Sequence, residues 1–332
     1  MSDRDSFCAL CGDAGIILYE HQPDRVHGHP GDWDILCCGT CSLYWLWPMP
    51  TGEELASYYS SYHTHGKSST AKPSLFQHLM TSLVVQRRMF HWRPIRWLFF
   101  PKKQSLRPRL IRHVGQYLSA YLLRPPSETL AKLLDVGAGN GWFVRLMLDI
   151  GWNAVGIEPD PEAAAYARDI AHVPVLTSDL QMSLFEPQSF DVITLRHVVE
   201  HLTSPDDVLR ASFTLLKPGG RLIIICPNST SLGSRHFKEC WRGLEVPRHV
   251  FLYNPSNLSR LVTTAVDCEI EGVQTESFNA WWFYLSSVTK KTSFWARIGD
   301  LFAAVRFAAQ EGHLLRTDTM AGEEVVLIAR KK

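Results

Sequence analysis

Two cysteine pairs, Cys8-Ala-Leu-Cys11 and Cys38-Gly-Thr-Cys41, lie either side of a 26-residue loop rich in Gly, Pro and polar residues. The C-x-x-C spacing lets both sulfurs of a pair point the same way, so four thiolates can enclose a tetrahedral zinc ion. Such a site has no open position and its role is structural. The loop is too polar to fold by itself, and metal would supply the missing stability. Cys37 has the wrong spacing, and His21, His27 and His29 are alternative ligands that read more simply as solvated loop residues.

A second group of residues suits a nucleotide. The apolar run Leu133–Val136 reads as a buried strand, and Gly137, Gly139 and Gly141 follow it at alternate positions before a helical pattern begins at Trp142. Backbone N–H groups of such a turn, including that of Ala138, can approach a ligand with no Cβ in the way. A second strand from Asn153 ends in Glu158, 21 residues past Gly137. That is where an acid can accept from both hydroxyls of a ribose. Asp135 adds a charge ill suited to a pyrophosphate but well suited to a sulfonium or an amine. Trp142 stands where the dinucleotide fingerprint needs a small residue, which disfavours an NAD-dependent oxidoreductase.

A third group follows the strand Phe190–Leu195. Arg196 and His197 fall at its carboxyl end, where open α/β sheets bind ligands, and Glu200 and His201 come one turn later. His-x-x-Glu-His resembles an inverted zinc motif, but Leu202-Thr-Ser-Pro205 breaks the helix and argues against metal there. A fourth, Trp241-Arg-Gly-Leu-Glu245-Val-Pro-Arg248-His249, is dense in groups that handle protons and charge. His249 is a candidate general base, with Glu245 placed to orient it and Arg248 to hold an acid on an acceptor. The competing reading is a structural histidine that pins the loop.

The elements that must position these groups follow from the apolar pattern. With 332 residues and 45% hydrophobic content the chain can bury a sizeable core, and a net charge of +1 selects no class of partner. Strands alternate with helices from about residue 130. This predicts an α/β fold with a seven-stranded, mostly parallel, Rossmann-like sheet. Residues 1–65 read as a zinc-binding module, 66–129 as a basic helical bridge, and 130–332 as the catalytic domain, with a helical lid insert at about 280–320. Between Lys72 and Arg124 there are eleven Lys or Arg and no acid. Packed helices with a solvated basic face explain that. Peripheral contact of residues 72–124 with an anionic membrane is the sharper reading, and nucleic acid is disfavoured because no recognition motif is present. The N-terminus has no apolar leader and no run is long enough to span a bilayer. The expected location is therefore cytoplasmic, with peripheral attachment at the inner membrane face as the extension.

The runs "LDVGAGNG", "GIEPD", "HVVEHL" and "LLKPGG" in this order resemble the class I S-adenosylmethionine (SAM) methyltransferases, over nearly all of the chain from residue 130. The cysteine knuckles, the P-x-P turn at Pro48 and Pro50, the run Tyr58, Tyr59 and Tyr62, and the "W.G...P.H" run resemble sugar C-methyltransferases and surface-polysaccharide methyltransferases. The resemblance implies SAM as cofactor, held by Asp135, Gly137, Ala138, Gly139, Gly141, Glu158, Pro159, Asp179, Arg196 and His197, with Asp179 near the adenine amino group. It implies methyl transfer to a sugar, nucleotide-sugar or glycolipid acceptor, with His249 removing a proton and His197 and Glu245 as accessories. The alternatives are O-methylation of a lipid or quinone-type small molecule, and a SAM-binding scaffold without catalysis.

Overall fold

In this computed structural model the described residues are 6–59, 131–149, 151–180, 184–277, 279–288 and 294–332. The basic bridge lies outside them, as do Tyr62 and the side chain of Tyr59. The chain divides into two compact units, Met1–Tyr62 with Asp179–Lys332, and His63–Ser178.

The first unit begins with strands β1 (Gly15–Gln22), β2 (Trp33–Cys38) and β3 (Tyr44–Trp47), which pair antiparallel. Helix α1 (Gly52–Tyr59) follows. The short strand β9 (Phe251–Leu252), contributed by the His249 loop, completes a four-stranded sheet against β3. Trp33, Ile35 and Leu46 of the N-terminal strands bury themselves with Trp241, Leu244, Val246, Leu252 and Phe283. Apolar area removed from water stabilises by roughly 25 cal/mol per Å², so the cysteine-bearing segment and the Trp241–Leu252 loop form one core. Tyr58 packs edge-on against His29 and Trp33, at ring separations of 5.4 and 5.9 Å, as part of that core.

The large sheet has the seven strands that the sequence pattern predicts, and along it they follow the order β10-β11-β8-β7-β4-β5-β6. In the second unit β4 (Lys132–Val136), β5 (Asn153–Glu158) and β6 (Val175–Thr177) run parallel, with α2 (Trp142–Asp149) and α3 (Pro161–Ala165) between them. Asp160 caps α3 by accepting from the backbone of Glu162 and Ala163, with Pro161 as its first residue.

In the first unit β7 (Phe190–Arg196) runs parallel to β8 (Leu216–Pro227), and α4 (Pro205–Leu215) crosses between them. β7 is buried from Val192 to Leu195 and β8 from Leu222 to Pro227, as the middle of strands covered on two faces must be. The Lys217-Pro-Gly-Gly segment does not form a separate turn. It opens β8 as an irregularity opposite Asp191, with Gly219 at φ +75° and Lys217 Nζ 2.8 Å from both Asp191 oxygens. Helix α5 (Leu232–Phe237) and α6 (Pro255–Ala265) lead to β10 (Cys268–Glu276), which pairs antiparallel with β11 (Glu324–Lys331). β11 in turn is antiparallel to β8. Between β10 and β11 lie helices α7 (Ala280–Ser287) and α8 (Phe294–Leu314). They pack on α5 through Phe237, Tyr284 and Phe307, whose rings are 5.2 to 5.9 Å apart. No described helix is long and apolar enough to cross a membrane.

Candidate functional site

The turn after β4 is built for close approach. Gly137, Gly139 and Gly141 all have φ between 54° and 77°, the left-handed region that other residues avoid. A Cβ on Gly141 would lie 3.0 Å from Ala167 Cβ, so that glycine is a packing requirement. A Cβ on Gly139 would meet nothing within 4 Å, so the surface over that residue is open for a ligand to lie against. Glu158 is fastened to the same turn. Its Oε2 accepts from Gly139 N at 2.7 Å and its Oε1 from Asp160 N at 3.0 Å, with 7% of the residue exposed. Each carboxylate oxygen keeps a second lone pair, which suits two hydroxyl donors side by side. Asp135 is buried at the end of β4, Pro159 is exposed beside Glu158, and Asp179 is exposed just past β6.

The four cysteines converge. Cys8 and Cys41 sulfurs are 3.5 Å apart and Cys11 and Cys38 sulfurs 3.2 Å, and all four lie within 4.8 Å of one another. Sulfurs on a tetrahedron with bonds of about 2.3 Å stand roughly 3.8 Å apart. The two knuckles repeat one local design. Gly12 N donates to Cys8 O and Ser42 N to Cys38 O, and Gly12 and Ser42 are both left-handed. Burial works against ionisation of Cys38, but backbone N–H donors led by that of Cys41 prevail and bring its thiol down to about 7. Cys37 faces away from the cluster into the β1–β2 pairing.

At the carboxyl end of β7 the chain turns sharply. His197 has φ 52°, a conformation that costs of order 1 kcal/mol or more in a non-glycine residue. Its N–H donates to Ile225 O at 2.8 Å, and its ring lies between two buried carboxylates. Nδ1 is 3.3 Å from Glu200 Oε1 and Nε2 is 2.9 Å from Glu324 Oε1. Burial alone would lower the His197 pKa, but the hydrogen bonds and charges of Glu200 and Glu324 outweigh it and raise it to about 10. His249 is the opposite case. It is 5% exposed, and Nδ1 donates to Gly243 O at 2.7 Å, which leaves Nε2 as the basic nitrogen 3.5 Å from Glu245 Oε2. Burial, then the neighbouring His201, push it down to about 4. His201 meets the His249 ring edge to face at 4.6 Å, with its Nδ1 3.1 Å from Arg248 O. Glu200, His201 and His249 offer ligand atoms within 4.8 Å of one another.

A family model for a methyltransferase domain matches residues 104–271. This chain belongs to the class I SAM-dependent methyltransferases. It is 33% identical over 106 residues to a ubiquinone biosynthesis O-methyltransferase of Xanthomonas euvesicatoria, covering 30% of this chain and 44% of that protein. A protein of the same description from Actinobacillus pleuropneumoniae is 33% identical over 109 residues, 47% of its length. The methyltransferase chain thus spans less than half the length of these curated relatives. Among solved structures, a SAM-dependent methyltransferase from Archaeoglobus fulgidus is similar at 20% identity and a TM-score of 0.43, over 71% of this chain and 99% of that one.

Within this methyltransferase the residues singled out from sequence fall into separate groups. Gly137, Gly139, Glu158 and their neighbours share the β4–β5 turn, and the four cysteines share one cluster. His197, Glu200, His201, Glu245 and His249 share a network at the end of β7. Arg248 is not available to an acceptor. Its guanidinium is fully buried and grips Asp24 with two bonds of 3.0 and 2.7 Å. Asp24 also accepts from the backbone of Val26, His27 and His29, and so organises the polar loop between the knuckles. Asp24 carries no motif, and its only signal in the sequence is an acid in a Gly- and Pro-rich loop.

Proposed function

We propose that this methyltransferase moves the methyl group of SAM to a sugar-type acceptor, be it a sugar, a nucleotide-sugar or a glycolipid. The observation that carries SAM binding is Glu158 held rigid against an open glycine turn. Asp135, Gly137, Ala138, Gly139, Gly141, Pro159, Asp179, Arg196 and His197 are the further residues proposed to hold the cofactor. SAM supplies a methyl already activated on a positive sulfur. As the S–C bond breaks and the methyl carbon bonds to the acceptor atom, the sulfur becomes a neutral thioether and the acceptor loses the proton of an O–H or an acidified C–H. The protein must align the acceptor and take that proton. Two histidines pushed to opposite ends of the scale divide such work. His197 stays charged and donates, while His249 stays neutral and accepts, with the charged carboxylates of Glu245 and Glu200 beside it to stabilise the imidazolium that forms. The sugar class rests on the sequence resemblance and is supported by the polar side chains gathered at the ends of β7, β8 and β11. The partial likeness to ubiquinone biosynthesis O-methyltransferases favours a second reading, a phenolic quinone-type acceptor. Activity on a quinol precursor with none on sugars would establish that alternative.

Glu158→Ala should weaken SAM binding about tenfold to a hundredfold by calorimetry, because hydrogen bonds to a charged group contribute about 1.5–3 kcal/mol. Tight binding of NAD with no heat from SAM would overturn the assignment. For the cysteine cluster we propose structural zinc, since four thiolates suit that ion and leave no open position. Metal analysis of Cys8→Ser/Cys38→Ser should find the zinc lost and the N-terminal sheet less stable. Unchanged zinc content would mean the thiols are not its ligands.

A further inference from the structure

The strand ends beside His197 carry more acid than anything around them balances. Glu276 of β10 and Glu324 of β11 sit opposite each other in register, and Glu324 is also opposite Pro227 at the carboxyl end of β8. Glu323 precedes β11, and Glu311 reaches the same place from α8. Relative exposures are 7% for Glu276, 1% for Glu324 and 0% for Glu323 and Glu311.

Some of these oxygens are satisfied. Glu323 Oε2 accepts from Trp241 Nε1 at 3.0 Å and Ser231 Oγ at 3.1 Å. Glu324 Oε2 accepts from Asn279 Nδ2 at 2.8 Å, and Glu276 Oε1 from Gln274 Nε2 at 3.0 Å. Glu276 Oε2 makes no hydrogen bond, and beyond these bonds the Glu323 and Glu311 carboxyls meet only the backbone of Gly233 and Glu323 respectively. Glu311 is the telling residue, because it comes from a separate element, is fully buried, and lies close to Glu323 and Glu324 with no side-chain donor of its own, while Glu276 Oε2 has no partner at all. The fold also makes room for this arrangement. A Cβ on Gly233 would fall 1.8 Å from Glu323 Oε1.

The basic groups that act here are His197, shared with Glu200, and Arg235, whose Nε is engaged by Ser231 O at 3.2 Å. Unpaired buried carboxylates cost several kcal/mol each, so an apolar filling would serve the fold better. Burial first, then the neighbouring acids, push Glu311 up to about 10 and Glu276 up to about 7. Something with N–H or O–H donors and positive charge is the complement. A single metal ion is a poor match, because these acids do not bring their oxygens together as the four cysteines do. An extended molecule with an ammonium group fits better, since ammonium offers three donors and no acceptor.

We propose that the methyl acceptor is an amino sugar or similarly aminated polyol, whose protonated amine is received by Glu276, Glu311, Glu323 and Glu324. This rests on the methyl-transfer reading above and adds the charge of the substrate. Helices α7 and α8 then act as the cover that brings Glu311 onto the amine.

The test uses the full chain saturated with SAM, titrated with glucosamine and with glucose, which differ by one ammonium for one hydroxyl. Glucosamine should bind at least tenfold more tightly. Glu311→Gln should abolish that preference and leave SAM affinity unchanged. Glu276→Gln, on the less buried strand position, should reduce the preference and serves if the first variant does not fold. Normal SAM binding with equal affinity for both sugars, or a preference that survives both substitutions, overturns the proposal. Failure of SAM to bind would instead remove the methyl-transfer reading beneath it.

Discussion

Turnover by the His249→Ala enzyme should fall roughly a hundredfold, the scale of a lost general base, while SAM affinity stays as it was. The expectation rests on the electrostatic split between two histidines. His249 has its Nδ1 proton fixed on Gly243 O and its pKa lowered to about 4 by burial and His201. Its Nε2 lone pair is therefore present throughout the neutral range. His197, with Glu200 and Glu324 on its two nitrogens, holds its proton up to about 10. A charged imidazole donates and does not accept. The active combination, neutral His249 with charged His197, thus spans from about 4 to about 10. The pH–rate profile should be flat from about 5.5 to about 9, where an ordinary histidine base would lose half its activity near 6.5. His197→Ala should also lose activity, but through binding and alignment of the acceptor. A normal rate in His249→Ala, or a profile that falls with a midpoint near 6.5, would mean that another group takes the proton.

Asp24→Ala should destabilise the protein by about 3–5 kcal/mol in denaturant titration, because Arg248 would keep a fully buried charge without its bidentate partner. The defect should appear first in the N-terminal sheet, where the Asp24 carboxylate also holds the backbone of Val26, His27 and His29. Asp24→Ala/Arg248→Met should recover most of the loss, since an apolar pair removes the stranded charge. The same pair gives a pH dependence. Burial resists the Asp24 charge, but the Arg248 guanidinium prevails and holds the carboxyl below the usual range. Its contribution is therefore complete above about pH 5 and lost as pH falls through the acid range. A single Asp24→Ala variant as stable as the parent would show that the pair contributes nothing net.

Sequence by itself determined what is local. The glycine turn, the acid at the end of β5 and the cysteine knuckles each depend on residues a few positions apart, where φ, strand period and ligand spacing are set by residue type. The strands of the large sheet were legible for the same reason, because short runs such as Leu222–Ile225 are apolar without interruption. Tertiary structure decided what depends on distant partners and on burial. Asp24 and Arg248 are 224 residues apart, and neither spacing nor composition could pair them. Phe251 and Leu252 follow the His249 loop by two residues, yet their backbone completes the N-terminal sheet. Glu276, Glu311, Glu323 and Glu324 stand in no motif, and acids are usually solvated. Only the register of β10, β11 and β8, with Glu311 brought to them from α8, removes water from all four and sets Glu324 against His197. A carboxylate's character is fixed by what surrounds it, and that is a property of the fold.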